Sequence, residues 1–382
     1  MPFAGWAEKL FGATLRSSIS RLEQFACCPF RFLVHSGFHA EERKLFELDA
    51  REQGSFQHEA LKIFHEQLQA AGRRWRDLTP AEARDRIGRI AAGLAAGYRN
   101  GLLRADGRSR FAAEILIESL QDFVETLVAW MREQYDFDPA AAELGFGIDP
   151  GGPPAWELDL GSGHKLALRG RIDRIDVCRE PDGRTWCVVM DYKSGWRKLD
   201  PLLVENGVQL QLLAYLGAVR RWPDPTPWLR ASGLVPAGVF YVSLRGQYER
   251  GANRDDARTG AADARRRAYR HTGRFDAAVL PHLDRLGTAD QFNYRLNQDG
   301  RLRAGSAEAL ARVEFEKLLD LVELRLRECG RAIFSGAAQV NPYRKGRETP
   351  CEFCDYRAAC RIDPGTHSWR VLRPVETAGA PA

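Results

Sequence analysis

Residues 169–193 constrain the fold most strongly, because two strand-like segments there each carry a charge that a buried strand normally excludes. In the first segment, RGRIDRIDV, the residues Asp173, Ile175 and Val177 follow the period of two that one face of a β-strand shows. Ile172 is out of phase, which predicts a strand that is either bulged or buried partly on both faces. The second segment, WCVVMDYK, is almost continuously apolar, as is typical of a strand buried on both faces.

The second segment ends in a charged group whose burial needs compensation. The turn from Pro181 to Gly183 predicts a hairpin that joins the two strands. Asp191 and Lys193 lie two residues apart on the second strand, so their side chains point to the same face. Removing this acid and this lysine from water costs free energy unless they neutralise each other or a metal ion compensates. The two strands are therefore expected to deliver one carboxylate each to a polar site.

The order of these residues resembles a known family. An aspartate on one strand, followed by Asp-x-Lys on the next, is similar to the active-site pattern of the PD-(D/E)xK nuclease superfamily. GRIDRID, then DYKSG, then Gln211-x-x-x-Tyr215 resemble in particular the nuclease domains of AddB and RecB-type proteins. The resemblance covers residues 17–363 and implies an α/β fold of the restriction-endonuclease type. In that fold a central mixed sheet is flanked by helices, and the N-terminal part is helical.

The chemistry of phosphodiester hydrolysis explains why these residue types are needed. The reaction requires a water nucleophile and relief of the charge that develops on the phosphate. Asp173 and Asp191 can jointly hold Mg²⁺ or Mn²⁺, which acidifies bound water and neutralises the phosphate. The resemblance implies that the backbone carbonyl of Tyr192 is a further ligand. Lys193 would orient or deprotonate the attacking water, or stabilise developing charge.

Two polar residues on the helix that follows complete the predicted catalytic set. Gln211 and Tyr215 lie at positions i and i+4, so they share a face and would position DNA or water. The alternative interpretation is a surface salt bridge at a strand end, beside a helix whose tyrosine only fills the core. The complete order of the motif favours the catalytic interpretation.

Two residues outside this stretch match positions of the family near its metal. His58, in GSFQHEALKIF, matches the metal-ligating histidine, although a single histidine on a helix can equally be a surface or core residue. His65 has no such match. Glu143, in an ExxFG setting, resembles an acidic position of the family near the site, but the sequence leaves open whether it supports the metal, binds it or does neither.

Cysteines at the two ends of the chain predict a second, separate centre. Cys351-x2-Cys354-x5-Cys360 places three thiols in a tight turn, an arrangement that calls for a fourth ligand. The opening SxSxLExFxxCPFxF is similar to that of AddB nuclease domains, whose cysteine maps onto Cys28, whereas Cys27 is an additional thiol. The resemblance implies a [4Fe–4S] cluster that joins the termini. A four-cysteine zinc site is the chemical alternative, because zinc accepts the same ligands.

Composition excludes several other classes of protein. The chain has 382 residues and a formal charge of +5, a mild basic excess that permits a nucleic-acid partner without requiring one. It contains no GxxxxGK[ST] motif, so it has no P-loop ATPase of its own. No apolar run is long enough to span a membrane and no signal peptide is recognisable, which predicts a cytoplasmic protein. Eight cysteines in such a protein favour metal binding over disulfides.

The whole chain, residues 1–382, is predicted to form one nuclease domain. Its expected parts are a mainly helical region (17–135), a catalytic sheet with the Gln211 helix (140–245), an arginine-rich insertion (250–275), a helix with the cysteine cluster (305–363) and a tail (366–382). Ser20 and Glu23 predict a capping box at the first helix. The insertion is expected to be solvated, or alternatively to contact phosphates. A long amphipathic helix is expected near the C-terminus, with this buried side: Leu310, Val313, Leu321 and Leu324.

The resemblance implies an exonuclease that acts on DNA ends in recombinational double-strand-break repair. In the family, this domain is the C-terminal part of a longer helicase–nuclease subunit, and the present chain lacks the helicase-like part. DNA ends or single strands are therefore the expected partners, together with an ATP-dependent helicase subunit. The alternatives are a non-catalytic DNA-binding scaffold with a vestigial site and a CRISPR-associated or phage-type exonuclease.

Overall fold

A central mixed sheet organises the molecule. The computed structural model describes residues 5–41, 46–246, 264, 266–303, 306, 308–363 and 365–374. Within this part of the chain the main sheet has eight strands: β1 (Thr14–Ser18), β2 (Asp138–Phe146), β3 (Trp156–Gly161), β4 (His164–Arg179), β5 (Thr185–Lys193), β6 (Leu234–Ser243), β7 (Thr272–Asp276) and β8 (Ala309–Leu310). Helices cover both faces, which confirms the predicted fold class of a mixed sheet flanked by helices.

The long strand β4 is the centre of the sheet. It pairs in parallel with β1 and antiparallel with β2, β3 and β5, while β5 continues the sheet through a parallel pair with β6. The β4–β5 ladder runs without a register shift from Arg174 to Arg179, and every residue from Ile172 to Cys178 is buried. Of the two predicted alternatives, burial on both faces is therefore correct. The irregularity in this region lies in β2, between Pro139 and Ala141.

The predicted turn between β4 and β5 is confirmed, and a second turn precedes β4. Residues 181–183 form the turn between β4 and β5, and the amide of Gly183 donates to the carbonyl of Glu180 at 3.1 Å. Gly161 and Gly163 flank the turn between β3 and β4, and both have the positive φ that glycine adopts without strain. These two turns set the register that brings the charged ends of the strands together.

Two hydrophobic cores lie on opposite faces of the sheet. On β5, Val188, Met190 and Tyr192 pack into one core, whereas Cys187 and Val189 pack into the other. The first core is covered by three helices, which are Ala50–Ala70, Pro80–Gly97 and Gly107–Glu133. The second core is covered by the helices Trp6–Phe11, Ile19–Cys27, Gln211–Val219 and Arg312–Phe334. Shorter helices are Pro29–Phe32, Pro201–Glu205, Thr226–Leu229, Leu280–Leu283 and Arg357–Cys360.

Two breaks divide the α-helical stretch between residues 50 and 133. The chain leaves the helix at Gly97 and resumes it at Gly107. The other break precedes Pro80, where Thr79 and Glu82 form a capping box, with the Thr79 hydroxyl accepting from the Glu82 amide at 3.2 Å. The sequence TPAE carries this start signal.

The buried side of the C-terminal helix Arg312–Phe334 differs from the prediction. Val313 and Leu324 are 61% and 45% exposed, and Leu310 belongs to β8, before the helix begins. The side that packs on the sheet consists of Phe315, Leu319, Val322, Leu326, Cys329 and Ile333. The leucine-rich sequence offers two apolar stripes, and the choice between them depends on the neighbouring elements, which periodicity alone does not reveal.

The arginine-rich insertion ends earlier than predicted. Residues 247–263 and 265 lie outside the described residues, so its central part is not characterised. Tyr269 and His271 are fully buried, and Thr272–Asp276 is strand β7. At the C-terminus, β9 (Tyr343–Arg344) pairs with β10 (Arg370–Val371), so the residues 366–374 of the predicted tail include an ordered strand. The remaining tail, 375–382, lies outside the described residues.

Candidate active site

Two carboxylates meet at the middle of the sheet. Asp173 lies on β4 and Asp191 on β5, directly beyond the paired residues Arg174 and Met190. Both side chains are buried, with 9% and 2% of their surface exposed. The amide of Tyr192 donates a hydrogen bond of 2.7 Å to Asp173 Oδ2, which ties the two strands together at this point. The carboxylates predicted from the strand pattern are therefore neighbours in the fold.

The surroundings of Asp173 disfavour its charged form. Burial and the nearby charge of Asp191 together raise the pKa of Asp173 to about 8. The ammonium group of Lys193 contacts Asp191 Oδ2, so the acid and the lysine partly compensate each other as expected. That oxygen nevertheless has no hydrogen-bond partner among the described residues. An acidic pair of this kind favours a cation that can neutralise both carboxylates.

The second aspartate of GRIDRID has a structural role instead. Asp176 is three residues from Asp173 and is completely buried beside Tyr135 of the first core. Its oxygens accept from Arg174 Nε at 2.6 Å and from the Tyr135 hydroxyl at 2.9 Å. A carboxylate that is satisfied in this way stabilises the fold and is not available to a ligand.

His58 reaches the acidic pair from the Ala50–Ala70 helix. Its Nδ1 lies 2.9 Å from Glu143 Oε1 and 3.6 Å from Asp173 Oδ1. Burial alone would lower the pKa of His58, but the charges of Asp173 and Glu143 outweigh it and raise the pKa to about 9. His65, by contrast, is buried against Trp75, whose indole N–H donates to its Nδ1 at 3.2 Å. The structure thus brings His58 to the carboxylates and leaves His65 in the core.

Glu143 is held in an unusual backbone conformation. It lies opposite Asp173, because its neighbours Ala142 and Leu144 pair with Arg174 and Ile172. Its φ of 50° lies in the left-handed region, which costs free energy for a residue other than glycine. Donor atoms of Glu143, His58 and Asp173 all lie within 4.8 Å of one another. The strained residue therefore contributes a carboxylate to the site.

Gln211 and Tyr215 share one face of the Gln211–Val219 helix, as predicted. Gln211 Nε2 donates to the Tyr215 hydroxyl at 2.8 Å. Burial, together with the charges of Asp191 and Asp173, raises the pKa of Tyr215, so its hydroxyl stays protonated at neutral pH. This helix belongs to the core opposite the one that carries His58. The site is therefore approached by helices from both faces of the sheet.

The sequence comparisons agree with this geometry. A sequence model of the PD-(D/E)XK nuclease superfamily matches residues 16–361. The chain belongs to this superfamily. It is 38% identical to an ATP-dependent helicase/deoxyribonuclease subunit of Moorella thermoacetica over 364 residues, which are 94% of this chain and 31% of that protein. The corresponding proteins of Symbiobacterium thermophilum and Desulforamulus reducens are 34% and 31% identical, over 94% and 93% of this chain and 30% of each relative. The chain thus spans less than a third of these relatives.

Membership of the PD-(D/E)XK superfamily implies a divalent metal, and the residues present fit one. Asp191 Oδ2 is buried and, apart from its ion pair with Lys193, has no partner among the described residues. Donor atoms of His58, Glu143 and Asp173 lie within 4.8 Å of one another. Oxygen donors of this kind suit Mg²⁺ and Mn²⁺. His58, Glu143, Tyr192 and Lys193 line an open cleft of about 630 Å³. Four cationic side chains also line this cleft: Arg51, Lys62, Arg99 and Arg171.

The four cysteines predicted to share a centre are brought together. Cys28, Cys351, Cys354 and Cys360 line the same small cavity, although more than 300 residues separate the first from the others. Burial, and then the neighbouring thiols Cys28, Cys354 and Cys360, raise the pKa of Cys351. Cys27 does not line this cavity. Four thiols around one cavity fit either an iron–sulfur cluster or a zinc ion.

Another group of donor atoms lies elsewhere in the fold and is already paired. Cys178, Glu180 and His282 have donor atoms within 4.8 Å of one another. His282 Nε2 is 2.8 Å from Glu180 Oε1, and its Nδ1 is 3.3 Å from Asp136 Oδ2. Both ring nitrogens therefore have a carboxylate partner.

Glu23 is the residue near the site whose role the sequence analysis missed. The helix Ile19–Cys27 is capped by Ser18, which accepts from the Arg21 amide at 3.3 Å, so the predicted capping box of Ser20 and Glu23 is wrong. Glu23 Oε1 instead accepts from the amides of Leu210 and Gln211. A signal was present, because Glu23 is four residues from the buried Ile19 and so lies on the inner side of the helix.

No helix among the described residues is long and apolar enough to cross a membrane.

Proposed function

We propose that this chain is a Mg²⁺- or Mn²⁺-dependent deoxyribonuclease that hydrolyses phosphodiester bonds at the site around Asp173 and Asp191. The observation that carries the proposal is the meeting of these two carboxylates with Lys193 and His58 at the centre of a PD-(D/E)XK sheet. A buried acidic pair whose charge is only partly compensated suits a divalent cation. Carboxylates whose pKa values are shifted are also typical of catalytic sites.

The proposed metal ligands are His58, Asp173, Asp191 and the backbone carbonyl of Tyr192. When bound there, the cation supplies an acidified water and neutralises charge on the phosphate. Glu143 holds the imidazole of His58 through the 2.9 Å contact to Nδ1. Such contacts orient metal ligands and make them more basic. The residues on β4, β5 and the Ala50–Ala70 helix thus form a preorganised set.

The remaining catalytic roles belong to Lys193, Gln211 and Tyr215. Lys193 is held beside Asp191, where its ammonium group can orient the attacking water or stabilise negative charge on the phosphate. The amide of Gln211 and the hydroxyl of Tyr215 form one hydrogen-bonded unit that can position DNA or water. The basic side chains in the cleft would contact the phosphate backbone on either side of the scissile bond.

The proposed substrate is DNA with a free end, and the proposed process is recombinational double-strand-break repair in the cytoplasm. Support comes from the similar proteins, which are named as subunits of an ATP-dependent helicase/deoxyribonuclease. An ATP-dependent helicase subunit is the corresponding partner. The chain as a whole would act as a single nuclease domain.

We assign the four-cysteine cavity to a structural [4Fe–4S] cluster. It would tie residues near the start of the chain to residues near its end. Cross-linking distant parts of a chain reduces the entropy of the unfolded state. Zinc is the alternative occupant, and visible absorbance separates the two, because zinc is colourless whereas an iron–sulfur cluster is brown.

Cleavage of end-labelled DNA by the purified chain tests the enzymatic proposal. Asp191→Ala and Lys193→Ala should each abolish cleavage in Mg²⁺ or Mn²⁺ while the protein still melts cooperatively. Asp182→Ala, which removes an exposed aspartate at the turn between β4 and β5, is the matched control and should cleave normally. If Asp191→Ala cleaves at the rate of the control, the site is misassigned. DNA binding without cleavage by the unmodified chain would favour a scaffold.

A further inference from the structure

The carboxylate of Glu23 caps the helix that carries Gln211. Glu23 Oε1 accepts hydrogen bonds of 2.6 Å from the amide of Leu210 and 2.7 Å from the amide of Gln211. These amides belong to the first residues of the Gln211–Val219 helix, whose own N-cap, Leu210, provides no side-chain hydrogen bond. The first amides of a helix need such partners, and a carboxylate also interacts favourably with the helix dipole. Glu23 supplies this cap from a distant part of the chain.

This position is costly for a carboxylate. Glu23 is only partly accessible to solvent. Its burial raises its pKa to about 7, although the two amide hydrogen bonds act in the opposite direction. The negative charge of Asp191 opposes ionisation of Glu23 as well. An apolar residue here would avoid that cost but would leave both amides without a partner.

The cap lies next to the proposed catalytic residues. Glu23 and Gln211 line one groove together with Arg197, Gln209 and Tyr241. The side chain of Gln211 also donates to Tyr215, so the backbone position of Gln211 determines where both polar groups lie. A shift at the start of this helix would therefore move the pair relative to Asp173 and Asp191.

The C-terminal end of the helix that carries Glu23 leads to the cysteine cavity. The helix Ile19–Cys27 ends immediately before Cys28, whose amide donates to the carbonyl of Gln24 at 3.0 Å. Cys28 lies five positions after Glu23, which corresponds to about 7.5 Å along a helix. Arg370 donates to the carbonyl of Ala26 and holds the same helix from the C-terminal strand β10. One short helix therefore contacts both centres.

We propose that Glu23 is a positioning residue, which fixes the start of the Gln211–Val219 helix and thereby links the placement of Gln211 to the helix that leads into the four-cysteine cavity. Among the described residues, no hydrogen bond joins Glu23 to the proposed metal ligands. Glu23 acts through the two amides it binds. This inference rests on the proposed nuclease function for its kinetic consequences, whereas the hydrogen bonds themselves can be tested independently.

The test compares three substitutions that differ in reach and charge. Glu23→Gln keeps the length and an acceptor oxygen, Glu23→Asp keeps the charge but is one methylene shorter, and Glu23→Ala removes the acceptor. For the shortened and truncated variants we expect kcat for single-stranded DNA to fall about 10- to 100-fold, with KM nearly unchanged. Glu23→Gln should stay close to the unmodified chain. Glu114→Ala, at an exposed glutamate on another helix, is the control.

Hydrogen exchange provides the readout that does not depend on activity. The amides of Leu210 and Gln211 should exchange faster in Glu23→Ala and Glu23→Asp, but not in Glu23→Gln or Glu114→Ala. Unchanged exchange in Glu23→Ala would overturn the cap. Faster exchange with unchanged kcat would overturn the positioning role. If the unmodified chain does not cleave DNA while exchange follows the expected pattern, the nuclease proposal fails and the cap stands.

Discussion

Asp191→Asn separates metal binding from catalysis more cleanly than truncation. The amide preserves the shape of the side chain and can still accept from Lys193, but it removes one of the two neighbouring negative charges. We expect this variant to lose metal-dependent cleavage and also the thermal stabilisation that Mn²⁺ gives to the unmodified chain. In metal-free buffer its stability should stay close to that of the unmodified chain, because the substitution removes the repulsion between Asp191 and Asp173 and also the ion pair of Asp191 with Lys193.

The structure provides the magnitudes. Burial and the nearby charge of Asp191 raise the pKa of Asp173 and so disfavour its ionised form; each unit by which that pKa falls again is worth about 1.4 kcal/mol. Asn removes the contribution of Asp191. With metal at ten times its dissociation constant, binding stabilises the native state by about 1.4 kcal/mol. Removal of one ligand should cost several kcal/mol of transition-state stabilisation, or about 1,000-fold or more in rate.

Differential scanning calorimetry with and without Mn²⁺ measures the stability terms, and cleavage of end-labelled DNA measures the rate. Asp182→Asn is the matched control and should retain both the metal-dependent shift in Tm and the activity. A variant Asp191→Asn that still gains the full shift in Tm from Mn²⁺ would refute Asp191 as a metal ligand. If Asp191→Asn is much less stable than Asp182→Asn in metal-free buffer, the argument from charge repulsion is refuted.

Three further predictions concern residues in other parts of the fold. His58→Ala should weaken cleavage most at limiting Mg²⁺. Mn²⁺ should partly restore cleavage, since it generally binds such sites more tightly. Full activity at limiting metal would show that His58 is only packed. Cys354→Ala should lose iron, visible absorbance and several degrees of Tm together, as measured by metal analysis, spectroscopy and calorimetry; unchanged iron content and Tm would refute the ligand assignment. Burial lowers the pKa of His271 to about 3, so its contribution to stability is complete above pH 6.5 and is lost as the pH falls from there towards 3. Chemical denaturation of His271→Asn should accordingly show a shallower loss of stability between pH 6 and 4, by up to about 1.4 kcal/mol per pH unit. An unchanged slope would show that His271 is not responsible.

The central hairpin was predictable because its signals are local. The alternation in RGRIDRIDV, the turn at Pro181–Gly183 and the apolar run of β5 all act within a few residues of one another, and the fold confirms them. The pair Gln211 and Tyr215 was predictable for the same reason, since the helical period alone puts them on one face.

Features that depend on distant partners were not predictable in this way. Glu23 binds amides 187 and 188 residues away; the helical period places Glu23 on the inner side of its helix but does not reveal that partner. The apolar stripe of the Arg312–Phe334 helix is chosen by what it packs against, for example Gly330 against Leu160. Strand β7 was hidden because Arg270 precedes it and Arg274 lies within it, and both suggest a solvated segment. In each case tertiary packing overrides the local preference.

The two faces of the sheet contribute different residues to the site. Damage to one face should therefore cause a different defect from damage to the other. His58 and Tyr192 belong to the face covered by the helices between residues 50 and 133, and the His58 ring contacts the Tyr192 ring edge-on at 5.5 Å. Gln211, Tyr215 and Glu23 lie on the other face, which also leads to the four-cysteine cavity. Damage to the cysteine cavity should therefore disturb Gln211 before it disturbs His58. A chain depleted of iron should lose turnover while it retains Mn²⁺-dependent stabilisation, whereas His58→Ala should lose the stabilisation and keep the absorbance of the cluster. If iron depletion instead removes the Mn²⁺-dependent shift in Tm, the two faces are coupled through the sheet itself and not through the helix that carries Glu23.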